Sequence, residues 1–319
     1  MTEGRGRYAA RRLLVAGPTL LGLSFLVFLL GSLAGDPSAR LAEGGLEPGE
    51  VPTPEQIAAV HHQLGLDRPL LVRYGEWLGR AAHGNLGESI VLPGKGVGDA
   101  IRAAVPSTVG LAAAATLLVL ALSVPIGVIG AVLRGRWWQQ GLRIATLAGA
   151  SIPGFFLAYL LIYVFAVRLH LVPVVGSVGA RSMVLPALTL AVGPTALISR
   201  LLQRALVEEL RHDYIRTARA KGLTELATVL AHALRNAFLP VITVLGSVLA
   251  RLLEGAVVVE LIFGRSGIGN LTLQAVGSSD YPMTQGVVLF AGVVVIAFNL
   301  LVDLTYPGLD PRVRLGATA

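Results

Sequence analysis

The chain has 319 residues, of which 54% are apolar and only 14% charged, with a mean hydropathy of +0.71 and a formal net charge of +7. That balance lies outside the range of ordinary soluble domains and places the chain in lipid. The positive charges alternate with apolar runs instead of forming one stripe, which argues against a nucleic-acid surface, and zero cysteines exclude disulfides and thiolate metal sites.

Residues 1–12, with Arg5, Arg7, Arg11 and Arg12, precede the uncharged run 13–35, the first expected span. A hydrocarbon core of about 30 Å takes about 20 residues of helix, and helix is required because unpaired backbone groups find no water there. The run greatly exceeds the roughly 7 to 15 residues of a signal h-region, so an uncleaved anchor is expected. Residues 36–104 form a small extracytoplasmic helical subdomain. Within it Thr53, Pro54 and Gln56 have the order of a capped helix start, a second amphipathic piece runs from Asp67 to Leu78, and His83 to Ser89 is a turn-rich return. From its residues this subdomain either contacts an external partner or caps the bundle. His61 and His62 are adjacent, point about 100° apart on a helix and make a poor metal pair.

Further expected spans are 105–133, 144–167, 184–203, 237–263 and 284–306, joined by connections at 134–143, 168–183, 204–236 and 264–283 and followed by a tail at 307–319. The fold class is therefore all-α, a polytopic membrane protein with six transmembrane helices. Arg134, Arg136 and Arg143, the basic 204–236 connection, and Arg312 and Arg314 put those segments and both termini on the cytoplasmic side. Tyr159, Tyr163, Trp137 and Trp138 sit on or beside spans and read as interface anchors or core.

The 204–236 connection is a basic helix-turn-helix. Ala205 to Lys221 is helix-permissive, Gly222 is the natural left-handed residue to end it, and Leu223, Leu226, Leu230 and Leu234 recur on one face of a second helix. Small Ala218 and Ala220 beside Arg216, Arg219 and Lys221 would let the first helix lie in a partner's groove with its charges at the rim. From the residues alone, an ordinary solvated loop stands as the alternative.

This segment is similar to the cytoplasmic coupling loop of ABC-importer permeases, and the chain resembles the group that imports dipeptides, oligopeptides and nickel. The family motif runs as a Glu-Ala-Ala triplet, three residues, a Gly, and later an apolar pair ending in Leu-Pro. Here Arg216-Thr217-Ala218 stands in the triplet's place, Gly222 matches, Ala237-Phe238-Leu239-Pro240 closes the motif, and the first acid is absent. The longer spacing from Gly to Leu-Pro is like that of the peptide and nickel branch. Gly65 to Leu70, Leu185 to Leu190, Val259 to Phe263, Asn299 to Leu304 and Leu309 to Arg314 look like the same branch.

The resemblance implies a type I ABC-importer permease fold and a non-catalytic transport subunit in the plasma membrane of a prokaryote. Implied partners are a second homologous permease, two ATPase subunits and an extracytoplasmic solute-binding protein. ATPase coupling falls on Tyr214, Arg216, Thr217, Ala218, Arg219, Lys221 and Gly222. ATP and Mg are expected on the partner subunits, with no cofactor, metal or nucleic acid on this chain. Di- or oligopeptides are the expected cargo, with nickel chelates and opines as alternatives. No G-x-x-x-x-G-K-[ST] loop is present; the nearest fragment, Pro93 to Val97, lacks its spacing.

Arg251 and Glu254, three apart within the fifth span, either pair as structure, with each other or with a partner permease, or line the translocation path; Asn299 and Asp303, four apart on the last span, are secondary candidates for the path, with helix packing and end-anchoring as the alternative. In the 264–283 segment Gly264, Gly267 and Gly269 permit a sharp turn and Asn270 to Val276 a short helix; it reads as an outer gate with Gly267, Gly269 and Asn270 as candidate residues, or as a plain hairpin. Gly264 to Gly267 also fits the G-x-S-G of intramembrane proteases, yet no His follows His232. An ion-coupled secondary transporter, a different class, commonly shows two similar halves and intramembrane carboxylates for the coupling ion, and neither is evident here.

Overall fold

A computed structural model describes residues 3–33, 38, 42, 51–63, 65–92, 94–132, 136–172 and 179–309. Arg312, Arg314 and the tail beyond 309 lie outside the described residues, as does the side chain of Asp303. The helices in order are α1 (Glu3–Leu33), α2 (Pro54–Gln63), α3 (Leu70–Ala82), α4 (Val97–Val132), α5 (Arg136–Ser151), α6 (Gly154–Leu161, continuing as a π-helix over Ile162–Arg168) and α7 (Ala180–Glu209). They are followed by α8 (Asp213–Ala220), α9 (Glu225–Thr228, continuing through a π-helical turn at Val229–Ala233 into Leu234–Ala237), α10 (Leu239–Ile262), α11 (Ile268–Gly277) and α12 (Tyr281–Leu309). Among the described residues the sole β-pairing is an isolated bridge between Glu88 and Gly96.

Among the described residues five helices are long and apolar enough to cross a membrane: α1 over Leu14–Leu33, α4, α7 over Arg181–Glu209, α10, and α12 over Tyr281–Leu301. The third apolar stretch, expected as a span over 144–167, is not straight, and counted as one broken span it brings the number to six. It breaks between Gln140–Ser151 and Gly154–Arg168 with a bend of 103°. Pro153, which caps α6 and has no N–H to continue the ladder from α5, is the local cause.

The chain divides into two compact units, one built mainly from residues 107–265 and the other from 10–106 and 266–297. In the first unit α7 is central: 56% of its apolar window is buried inside the chain, against 28% for α10, so α10 keeps a broad face uncovered. Glycines let the neighbours approach closely. A Cβ at Gly127 of α4 would stand 3.1 Å from Leu202, one at Gly149 of α5 3.2 Å from Val192, and one at Gly255 of α10 3.0 Å from Leu190. Small residues at crossings are what membrane helix pairs use where lipid supplies no hydrophobic drive between them. Leu111, Val119, Leu157, Ile198, Leu202, Val241, Val248 and Leu252 fill the resulting core. Pro186 and Pro194 sit inside α7, and Thr189 Oγ1 donates back to the Leu185 carbonyl at 2.8 Å.

In the second unit the capped start at α2 forms as its residues dictate: Gln56 N donates to Thr53 Oγ1 at 3.3 Å and Thr53 N to Gln56 Oε1 at 2.8 Å. Helix α3 lies against α1 through an aromatic cluster. Tyr74 packs on Phe25 and Phe28 with centroids at 5.2 and 5.6 Å, Trp77 packs on Phe28 at 5.6 Å, and the Tyr74 hydroxyl meets Ser24 Oγ at 2.8 Å. A second cluster joins Val97, Ile101 and Ala104 of α4 to Ile268 and Ala275 of α11 and Met283 and Val287 of α12.

Buried Asp280 caps α12. Its carboxylate accepts from Met283 N and Ile90 N, each at 3.3 Å, and from Ser89 Oγ, tying the return of the 36–104 segment to the last helix. Asp280→Ala removes a cap and strands these donors, a loss of about 1–3 kcal/mol. The purified variant is expected to melt lower, whereas Asp280→Asn, which keeps an acceptor oxygen, retains most of the stability. An unchanged melting temperature for Asp280→Ala would remove this role.

Candidate functional site

The polar 204–236 connection folds as two short helices meeting at a turn. The expected continuous helix from Ala205 to Lys221 is interrupted at Leu210–His212, where Arg211 N and His212 N close three-residue turns onto Glu208 and Glu209. Helix α8 then restarts with Asp213 in its first turn, where a negative charge favours the N-terminus. Gly222 adopts φ +86°, the left-handed conformation its sequence position required. Thr224 caps α9 by accepting from Ala227 N at 3.3 Å.

Two polar devices fix this geometry. Arg219 donates to Glu225 Oε1 at 2.7 Å, bracing α8 against α9 across Gly222. The Tyr214 hydroxyl donates to Glu209 Oε1 at 2.5 Å, and Asn236 Nδ2 reaches Glu209 Oε1 at 3.0 Å and the Tyr214 oxygen at 3.2 Å. That network joins the end of α7, the start of α8 and the end of the α9 segment. His212 stacks on Tyr214 at 6.1 Å. Partial desolvation of the phenol, followed by its bond to the Glu209 carboxylate, raises the Tyr214 pKa above the usual 10.0. Because the folded value is the higher one, what the phenol contributes to stability is complete below pH 10 and is lost only as pH rises through the raised value.

The residues expected to couple fall into three groups. Ala218 is turned inward at 7% exposure beside fully buried Ile215, so it packs against its own chain; Arg219 is engaged in the brace. Tyr214, Arg216, Thr217 and Lys221 are exposed, with Ala220 beside them, and Gly222 sets the turn. The four leucines do not share one environment, and Leu234 packs against the core. Thr228, Val229, Ala233 and Ala237 are buried, while Leu223, Leu226 and Leu230 are exposed at 39%, 53% and 53%. The loop thus displays exposed leucines on α9 and exposed cations, Arg216 and Lys221, on and just after α8. Sequence periodicity marked the leucines without telling which stripe faced inward, and nothing in sequence linked Glu209 to Asn236, 27 positions apart.

On α10, Arg251 and Glu254 are both exposed and make no ion pair with each other or with any described residue, while Glu260 is fully buried. Asn299 is exposed on α12. Of Gly264, Gly267 and Gly269 in the outer segment, Gly264 takes the left-handed turn, at φ +60°. Gly267 caps α11 in extended backbone, Gly267 and Gly269 are buried, and Asn270 is half-buried, 3.5 Å from Gln274. His61 is half-buried, and exposed His62 lies 3.8 Å from Asp67.

Apolar spans closing on a small-residue core, with a helix-turn-helix between two of them, define a multi-pass membrane subunit of a transport system. Residues 123–315 match the family described as the binding-protein-dependent transport system inner membrane component and residues 6–111 its N-terminal part, and the chain belongs to this family of ABC-importer permeases, not to an enzyme family. It is 39% identical over 97% of its length to a Brucella suis protein named as a peptide permease, covering 99% of that protein. It is 36% identical to the di/tripeptide transport system permease protein DppB of Pseudomonas aeruginosa and 38% identical to the glutathione transport system permease protein GsiC of Escherichia coli, each over 96% of this chain and 98% of the relative. A crystal structure of an amino acid ABC transporter with histidines superposes with a TM-score of 0.51 at 15% identity, covering 65% of this chain and 92% of that one; the likeness is one of fold.

Proposed function

We propose that this chain is one of two permease subunits of an ATP-driven importer for di- or oligopeptides, worked from the cytoplasm through the 211–235 loop. Relatives named for peptide, di/tripeptide and glutathione transport across nearly its whole length support that cargo class over nickel chelates or opines. A solute-binding protein delivers cargo outside, two ATPase subunits dock inside, and a homologous permease completes the path. ATP and Mg belong to the ATPases. Both termini and the loops at 134–143 and 204–236 face the cytoplasm, as the distribution of arginine directs. Each nucleotide state stabilises one arrangement of the bundle, and motion of α8 and α9 as a braced pair carries the change to α7 and α10.

The observation that carries this reading is the outward ridge of Leu223, Leu226 and Leu230 on an otherwise polar loop. An apolar stripe left uncovered by its own chain fits a protein groove better than bulk water.

The test is reconstitution with the neighbouring genes' products. Peptide accumulation in liposomes is expected only when this chain, the second permease, the ATPases, binding protein and ATP are all present; accumulation by this chain alone would overturn the reading. The native chain has no cysteine, so Thr217→Cys gives a single label site, expected to react only from the cytoplasmic side.

A further inference from the structure

A cavity of about 750 Å³ lies between α4, α5 and α7, lined by Gly130, Gln140, Arg143, Thr146, Arg200, Gln203, Arg204, Val207, Glu208 and Arg211. Four of these are arginines and one is an acid. None of the four guanidiniums makes an ion pair or side-chain hydrogen bond among the described residues. Two of the neutral polar groups of the wall are already engaged. Gln203 Nε2 donates to the Gly130 carbonyl at 3.0 Å, and the Thr146 hydroxyl donates to the carbonyls of Leu142 and Arg143 at 2.9 and 3.0 Å. The unused donors are therefore the Gln140 amide and the guanidinium N–H groups, and the planar guanidinium fork matches the oxygens of a phosphate.

The arrangement is built by helix periodicity. Arg200, Arg204, Val207 and Arg211 fall on one face of α7 and the turn after it, and Gln140 and Arg143 are three apart on α5. Trp137 and Trp138, 90% and 75% exposed, precede them on α5, the amphipathic residues that settle at headgroup level. Four like charges converging where apolar spans end repel one another unless an anion neutralises them, and basic pockets between spans on the cytoplasmic side suit an acidic headgroup.

We propose that this cavity binds the phosphate of an anionic phospholipid of the inner leaflet. The site is separate from the leucine ridge and from Arg251 and Glu254, and it does not depend on the identity of the cargo. Its leaflet follows from the cytoplasmic placement of 134–143 proposed above, whereas its preference for a lipid phosphate does not.

The purified full chain is exposed to mixed vesicles of phosphatidylglycerol and phosphatidylcholine, and the lipid it retains is identified by native mass spectrometry. Selective retention of phosphatidylglycerol is expected. Arg200→Gln combined with Arg204→Gln is expected to weaken that selectivity roughly thirtyfold, at about 1 kcal/mol for each arginine near an anionic surface. Arg200→Lys with Arg204→Lys retains most of it, which separates loss of charge from loss of fold. Lys95→Gln, an exposed charge in the other compact unit, leaves it unchanged. Equal retention of the two lipids, or selectivity untouched by the double Gln variant, overturns the proposal. Displacement of phosphatidylglycerol by millimolar inorganic phosphate assigns the cavity to a free anion, and displacement by added ATPase subunits assigns it to a protein partner; either result also overturns it.

Discussion

Leu226→Glu combined with Leu230→Glu is expected to abolish ATP-driven uptake while leaving the purified chain folded. Each side chain is 53% exposed, so neither substitution opens the core, and surface changes of this kind stay within about 0.5 kcal/mol of neutral. At a docked interface the same positions are central and apolar. A buried anchor there is worth at least about 2 kcal/mol, so each loss weakens ATPase binding by roughly thirtyfold. The readouts are the amount of ATPase that copurifies, the rate of peptide uptake, and the melting temperature of the isolated chain. Normal copurification and uptake in the double variant would sink the ridge as a docking surface. Ala218→Glu separates the two kinds of residue in this loop. It forces a carboxylate into a position 7% exposed beside Ile215, so it lowers the melting temperature itself. Gly222→Val falls between them: φ +86° is strained for a branched residue by about 1–2 kcal/mol, and relief of that strain turns α9 away from α8, breaking the Arg219–Glu225 brace.

That contrast shows which parts of the loop could be read in advance. Gly222 was legible because only one residue type adopts a positive φ cheaply, and the start of α2 was legible because Thr53 and Gln56 satisfy each other locally. Membrane spans were legible from composition, since burial in lipid requires an uninterrupted apolar run whatever the neighbours do. The direction of the leucine stripe was not. Leu226 and Leu230 share a helical period with Val229, Ala233 and Ala237, and period alone assigns a face without assigning a partner to it. The π-helical turn at Val229–Ala233 also shifts the register partway along, so Leu223 to Leu234 do not form one straight stripe. Likewise the break at Leu210–His212 contains neither Gly nor Pro. It is held by the Glu209, Tyr214 and Asn236 network, a long-range device with no local signature.

Arg251→Ala and Glu254→Ala are each expected to lower peptide uptake at subsaturating cargo by about tenfold or more, without changing assembly or basal ATP hydrolysis. The argument begins with cost. Both residues lie near the middle of a 24-residue apolar helix, where a charged side chain costs about 2.5–3.5 kcal/mol on insertion scales. They do not offset that cost on each other, because no ion pair joins them, and they are exposed on the face of α10 that its own chain leaves uncovered. Facing lipid, the pair would be a standing destabilisation. Facing a hydrated path, it presents a cation and an anion 3 residues apart, complementary to the carboxylate and ammonium ends of a peptide. Removing a charge that meets an opposite charge on the cargo costs about 2 kcal/mol or more, enough for the expected loss. The exchange Arg251→Glu with Glu254→Arg distinguishes path from partner. If the two only balance each other's charge within the helix, the exchange is silent; if each faces one end of an oriented cargo, uptake stays low. Asn299→Leu, a neutral change on α12, serves as the comparison and is expected to have the smaller effect. Wild-type uptake in both single alanine variants would place Arg251 and Glu254 outside the path and leave contact with the second permease as what keeps them in the span.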